Sequence, residues 1–444
     1  MTGRGLFASR HAPLAVLGST VTAAIAFAAI GLGRADAAVG PDVTVFAFTD
    51  IASHGQSGGF CAYTIGTRSC NRGDTPLNWC DQSSGCAPGA GTEDHPVIAG
   101  NLYRLKDGRF SQVGMSWLKH GFTSTNSTTG GCTGASGQSC TGPPAGGNQL
   151  GVGCTDPYTS GLNGSRPLGR RSEVNGTTGV FPFPYTGVGG TGGGGSYTAF
   201  DQRIKVPVAD MDPAQNAGAL YFAEAQYFAS DDAAANRSFN NASYRRVTVG
   251  AGPTFAVAVT GSFFEGQPAI NAWGAQDPWV VTVPVDVPGS ITEHFDLARK
   301  VTDLGNGMWH YEFALHNHNS DRAARAFKVT FPVTTALSNV GFKDIDTHSG
   351  EVYATTDWTA TPGSSSVTWS TLDFATNPNA NALRFAMTFN FWFDADHPPG
   401  DEVVETIDLF TPGSPPSVEA PPNGLFADAF ESGDTVPWTG GASG

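Results

Sequence analysis

The chain has 444 residues, with 24 Lys and Arg against 39 Asp and Glu, giving a formal net charge of −15. A surface this acidic repels phosphate backbones and anionic headgroups, which disfavours nucleic-acid and membrane-surface partners. Fifty-eight glycines, 29 prolines and little helical periodicity predict strands joined by many turns.

At the start of the chain, Arg4 and Arg10 precede an uncharged apolar or small-residue run from 14 to 32. Ala35-Asp36-Ala37 then supplies the small-x-small pattern that signal peptidase reads. We expect residues 1–37 to be a signal peptide cleaved before Ala38, and the protein to be secreted or displayed at the cell surface. The competing reading is an uncleaved anchor, since the run is nearly long enough to span a bilayer. No second run of that length follows, so no membrane span is expected after cleavage. Losing Arg4, Arg10, Arg34 and Asp36 leaves 21 basic against 38 acidic residues, a net charge of −17.

A first, Cys-rich lobe is expected over 38–285, opening with an alternating strand at 43–48. All seven cysteines lie between Cys61 and Cys154. No C-x-x-C pair exists, and zinc sites usually need one, so disulfides in an oxidising compartment are the expectation. The short intervals favour Cys61 with Cys70, Cys80 with Cys86 and Cys132 with Cys140, leaving Cys154 over. Other connectivities remain open at this point. A hairpin is predicted around Lys106-Asp107-Gly108-Arg109, a long surface loop over 123–147, and a Gly-rich loop or linker over 186–196. A helix is predicted over 213–229, with Asp212 at its N-cap and Pro213 in its first turn.

A strand-like run is read at 279–287, and a second lobe is expected over 286–411, built from strands near 327–333, 366–369, 383–393 and 403–410. A hairpin is predicted in which 295–301 and 308–317 pair across Gly305-Asn306-Gly307. The fold class is therefore all-β, two β-sandwich or jelly-roll-like lobes with the first stapled by disulfides. Residues 412–424 read as a Pro-rich tether unable to pack, and 425–444 as a C-terminal tail.

Chemistry-bearing residues concentrate in the second lobe. From Trp309 to His318 side chains alternate, placing Trp309, Tyr311, Phe313 and Leu315 on one face and His310, Glu312, His316 and His318 on the other. Two imidazoles at i and i+2 can converge on one ion, and neutral imidazole suits copper, zinc or iron. Apolar-in, polar-out is also what any half-buried strand shows. Asp344, Asp346, His348 and Glu351 form a second cluster that could bind calcium or complete the histidine site, although the spacing is not that of an EF-hand. Asp394, Asp396 and His397 offer the same residue types. Glu173, Glu224, Glu312 and Glu351 are available as carboxylates for glycoside hydrolysis, and no nucleophile motif is present.

Three resemblances follow from these residues. Leu425 to Asp434, with Trp438 nearby, resembles a short C-terminal signature of exported bacterial proteins, F-x-D-G-F-E-S-G-D, departing from it at Ala429. That resemblance implies sorting or surface-attachment machinery as a partner. His95-Pro-Val-Ile98, Asn101 to Arg109, Ser116 to Gly121, Gly153 to Tyr158 and Asn377 to Asn381 resemble an uncharacterised family of exported bacterial β-rich proteins. His54, His95 and His120 in one lobe, with His316, His318 and Met387 in the other, resemble in type and order the copper monooxygenases built from two β-sandwiches. The adjacent His pair usual in the first lobe of that family is missing here.

Two functions are expected on these grounds. The first is an extracellular binding protein for polysaccharide or cell-wall material. The alternative is a copper-type, metal-dependent oxidoreductase in which His316 and His318 hold the ion, with His310, His348 or Met387 as further ligands.

Overall fold

The computed structural model describes residues 40–79, 95–142, 146–164, 168–182, 185–188 and 199–422. The expected signal peptide, Cys80, Cys86 and the 425–444 tail lie outside them. Within the described residues strands dominate and helices are a turn or two long, so the all-β expectation is met.

The N-terminal lobe is a twelve-stranded sheet. Its main path runs Val43–Ser57, Phe60–Asn71, Ile204–Pro207, Arg109–Met115, Val97–Lys106, Leu220–Phe228, Ala242–Val249 and Val257–Phe264. The two ends of this path meet. The Val257 amide donates to Ser53 Oγ at 3.2 Å, and Phe48 packs edge-on against Phe263 with centroids 5.2 Å apart. The sheet thus curls into a nearly closed barrel around Val43, Tyr63, Ile98, Val206, Tyr227 and Val247. Closure of this kind removes the unpaired edges of an open sheet. The predicted hairpin is present: Lys106 pairs with Arg109, and Asp107 and Gly108 take φ of 52° and 83° at the turn.

Two expectations for this lobe are corrected. The helix expected over 213–229 is instead a turn followed by the strand Leu220–Phe228. Tyr221, Ala223, Ala225 and Tyr227 face the barrel interior, while Phe222, Glu224, Gln226 and Phe228 are buried on the other side. A strand buried on both faces shows no polar alternation. The cysteine pairing also differs. Cys70 bridges Cys132 and Cys140 bridges Cys154, with Cα separations of 5.8 and 4.5 Å, while Cys61 is a buried free thiol. Cys61 and Cys70 sit at opposite ends of one extended strand, Phe60–Asn71. At ~3.3 Å per residue they are roughly 30 Å apart, far beyond the reach of a disulfide. The two bridges instead tie Cys132 to the barrel strand Phe60–Asn71 and Cys140 to Cys154.

The C-terminal lobe is a sandwich of two five-stranded sheets. One runs Val281–Val287, Glu293–Gly305, Met308–Asn317, Met387–Ala395, Leu337–Lys343, and the other Thr359–Pro362, Ser366–Ser370, Ala324–Thr330, Val404–Leu409, Ser417–Glu419. Phe295, Leu297, Phe313, Leu315, Phe327, Trp369, Phe389, Phe391 and Ile407 fill the space between them. The predicted hairpin across Gly305–Gly307 is present. The expected tether is corrected in part: Ser417–Glu419 pairs with Val404–Leu409 as an edge strand, and Ala420 joins the core. Pro415 and Pro416 precede it, but Ser417 to Glu419 carry free amides, and an edge strand is where prolines nearby are tolerated.

The outer face of the first sandwich sheet packs on the barrel. Ala298 and Ala314 meet Tyr103, Phe110, Phe222 and Trp273. This contact buries the polar face of the histidine strand. Among the described residues no helix is long and apolar enough to cross a membrane.

Candidate functional site

The seam between the lobes is polar as well as apolar. Glu224, fully buried on the barrel strand Leu220–Phe228, accepts from Asn101 Nδ2 at 2.8 Å, Tyr103 Oη at 3.0 Å and the Ala269 amide at 2.6 Å. Gln112 accepts from the Thr388 amide at 2.8 Å, Asn390 Nδ2 donates to the Phe110 carbonyl at 2.8 Å, and Gln226 Nε2 donates to the His318 carbonyl at 2.9 Å. Arg109 grips Glu312 through two bonds of 2.6 and 2.8 Å.

His316 and His318 lie in this seam. His316 is fully buried, its Nδ1 is 3.0 Å from Thr388 Oγ1, and its Nε2 has no hydrogen-bond partner. His318 is also buried and holds the Ser238 carbonyl through Nε2 at 2.9 Å. That bond fixes Nε2 as the protonated nitrogen and leaves Nδ1 as a lone pair, 3.9 Å from Asp296 Oδ2. The two rings stand perpendicular with centroids 6.0 Å apart. Burial drives both pKa values down to about 3, so both imidazoles are neutral at ordinary pH. Asp296 is carried to the same spot by strand register, directly opposite His316. Burial, reinforced by Glu224 and Asp286, pushes its carboxyl up to about 7. One ligand atom from each of Asp296, His316 and His318 lies within 4.8 Å of the other two, the one such group among the described residues.

The remaining expected ligands are elsewhere. His310 sits six residues from His316 along the strand, roughly 20 Å away. There its Nδ1 meets Asp394 at 2.6 Å and its Nε2 meets Glu312 at 3.3 Å. These carboxylates, Glu312 first, raise its pKa against the effect of burial. Met387 is one residue before Thr388, and its side chain therefore enters the sandwich core rather than the histidine face. His348 donates Nε2–H to the Arg203 carbonyl at 2.7 Å and has no partner for Nδ1. The calcium set is not assembled. Asp344 accepts from Asn381 at 2.6 Å, Glu351 accepts from the amides of Arg171 and Ser172 at 2.7 and 3.2 Å, and Asp346 is exposed. In the barrel His95 and His120 bond each other at 3.1 Å, whereas His54 bonds Thr64 at 2.9 Å. Glu173 accepts from the Thr186 amide at 2.7 Å, and Asp396 from that of Ala336 at 2.7 Å. His397 Nδ1 bonds the Pro398 carbonyl at 2.6 Å. Each of the four glutamates considered for glycoside hydrolysis is thus engaged by a backbone amide, a neighbouring side chain or Arg109.

A cleft of about 530 Å³ opens where the lobes meet, lined by both. The barrel contributes Phe60, Met115, Lys205 and Asp210, and the sandwich contributes Lys343 to Ser349, Thr355 and Asp357. Lys205 Nζ bonds Ser349 Oγ at 2.8 Å and Asp210 pairs with Arg104 at 2.8 Å. Lys343, Asp346 and Asp357 have no hydrogen-bond partner among the described residues. Burial holds the Lys343 ammonium below the ordinary lysine range. Burial, with Asp357 and Asp346 nearby, pushes Asp344 up to about 6.

Sequence reasoning missed Asp296, Lys205 and Lys343. Asp296 had a partial signal, because counting outward from the Gly305–Gly307 turn comes within one residue of pairing it with His316. The bulge between Asp303 and Gly305 offsets that count by one residue. Lys205 and Lys343 come together only through the docking of the lobes. No family model matches the chain, and no curated protein matches it.

Proposed function

We propose that the protein is exported and acts as an extracellular binding protein for polysaccharide or cell-wall material, with a fragment of that material seated in the cleft between the lobes. The observation that carries this reading is the cleft itself: about 530 Å³, with the side chains of Lys343, Asp346 and Asp357 making no hydrogen bond among the described residues. Carboxylates such as Asp346 and Asp357 accept hydrogen bonds from sugar hydroxyls or from an amine. Lys343 meets a carboxylate or carbonyl on the same ligand. Ile345, Met115 and Phe60 supply apolar floor for the C–H face of a sugar ring. The disulfides accord with an oxidising compartment. The C-terminal tail supports surface attachment through sorting machinery.

The test is co-sedimentation of the purified protein with insoluble polysaccharides and with peptidoglycan, followed by calorimetry with soluble fragments. Binding to one class, weakened roughly tenfold or more by Lys343→Ala and by Asp346→Asn/Asp357→Asn, is the expected outcome. Retention of none of these materials by the wild type removes the reading.

A further inference from the structure

We propose that Asp296, His316 and His318 form a binding site for one divalent transition-metal ion of borderline hardness, such as zinc or ferrous iron. The inference is independent of what the cleft binds. Two imidazoles and one carboxylate are a donor set that zinc takes with an open fourth position and that non-haem iron takes as a facial triad. Met387, the soft thioether that would favour monovalent copper, points into the sandwich core on the other side of the sheet.

Both imidazoles are already oriented as metal ligands are. In such sites the ring nitrogen away from the ion is held by a protein group, which fixes the tautomer and the ring plane. Here the Ser238 carbonyl holds Nε2 of His318 and Thr388 Oγ1 holds Nδ1 of His316. The nitrogens left over are Nδ1 of His318, turned towards Asp296, and Nε2 of His316, fully buried with no partner. A buried ring nitrogen without a partner is costly, and a cation bound by His316 Nε2 in its unprotonated form removes that cost. Gln226, tied to the His318 carbonyl, also leaves its Oε1 without a partner in the same seam.

The dimensions fit. Ligand atoms ~2.1 Å from a tetrahedral ion are about 3.4 Å from one another. The spacing of 3.9 Å between His318 Nδ1 and Asp296 Oδ2, and the limit of 4.8 Å for the trio, require side-chain adjustments of under about 1 Å. Glu224 and Asp286 add negative charge beside Asp296, while Arg171 and His294 lie near the imidazoles. Asp296 retains 18% of its side-chain exposure, which gives an ion a way in.

The experiment measures metal on the intact mature protein. Protein stripped with chelator is dialysed against Zn²⁺ and, separately, Co²⁺. Uptake is read by elemental analysis, affinity by calorimetry and ligand geometry by the visible bands of Co²⁺. We expect one ion per chain, with Zn²⁺ affinity falling at least about tenfold in Asp296→Asn and about a hundredfold in His316→Ala/His318→Ala. Near-UV circular dichroism checks that each variant is folded. Asp296→Asn is isosteric and partly exposed, so it decides the matter even if the double variant fails to fold. Zinc well below one equivalent in the wild type overturns the proposal. Unchanged affinity and unchanged Co²⁺ bands in folded Asp296→Asn overturn it equally.

Discussion

Neutral buried histidines give the protein a specific sensitivity to acid. His348 is the clearest case, because it stands apart from His316 and His318 and holds a single backbone carbonyl. Burial, with Lys205 and Arg171 nearby, lowers its pKa to about 4, against 6.5 for the free side chain. In the unfolded chain it takes up a proton below pH 6.5, while the folded form resists until about pH 4. Its contribution is therefore complete above pH 6.5 and is lost as pH falls towards 4, by at most about 1.4 kcal/mol per pH unit. Asp296 and Asp344 act in the opposite sense, since their raised pKa values make the folded state the better proton acceptor. The stability difference between wild type and His348→Gln cancels those terms. Measured by urea unfolding, the advantage of the wild type over His348→Gln should shrink steadily from pH 6.5 to 4. An advantage that stays constant over that range contradicts the assignment. At this scale the pairing of His316 with His318 was legible in the sequence, because a period of two fixes which side chains share a strand face. Grouping His310 with them ignored distance along the strand. Including Met387 ignored a parity that only cross-strand register supplies.

Among the elements, the strands that were easiest to read are those with one face on a core and a turn at the end, such as the pair joined by Gly305-Asn306-Gly307. Leu220–Phe228 was misread because barrel and sandwich bury its two faces, erasing the alternation that marks a strand. Ser417–Glu419 was misread for the opposite reason, since prolines around it suggested a segment that could not pair. It closes the edge of the second sandwich sheet, and just beyond it the Pro421 carbonyl accepts from Arg299 at 2.9 Å. Arg299 is itself buried against Glu405 at 2.5 Å. A chain ending at Thr411 loses this strand, the packing of Val418 and Ala420, and one bond to a buried charge. It should be less stable than a chain ending at Pro422 by roughly 2–4 kcal/mol, read from urea midpoints. Equal midpoints would mean that the pairing contributes nothing and that the tether reading holds for the whole segment.

In the whole molecule, the joining of two lobes produces every candidate site. The cleft draws on both lobes, the histidine pair is buried because the barrel covers it, and Glu224 reaches the seam from the barrel side. Sequence patterns describe each strand against its own sheet and carry no signal for such docking, which is why the lysines of the cleft were invisible. By its internal contacts Ala37–Gly444 is one unit. Arg109 is the main rivet: besides its two bonds to Glu312 it stacks on Trp392, with its guanidinium 3.5 Å from the ring centroid. That ring in turn lies against Gly341, where a Cβ would come within 2.0 Å of it. Replacing Arg109 with Leu keeps apolar bulk over the tryptophan but leaves the Glu312 carboxylate, only 7% exposed, with His310 as its remaining partner. The expected cost is roughly 2–4 kcal/mol. Because the lobes share this seam, tryptophan fluorescence and far-UV circular dichroism should report one coincident unfolding transition in the wild type. The same should hold for Arg109→Leu at a lower midpoint. Two separated transitions in the wild type would show that each lobe stands alone, and that the seam, with the sites it encloses, is not held by cooperative folding.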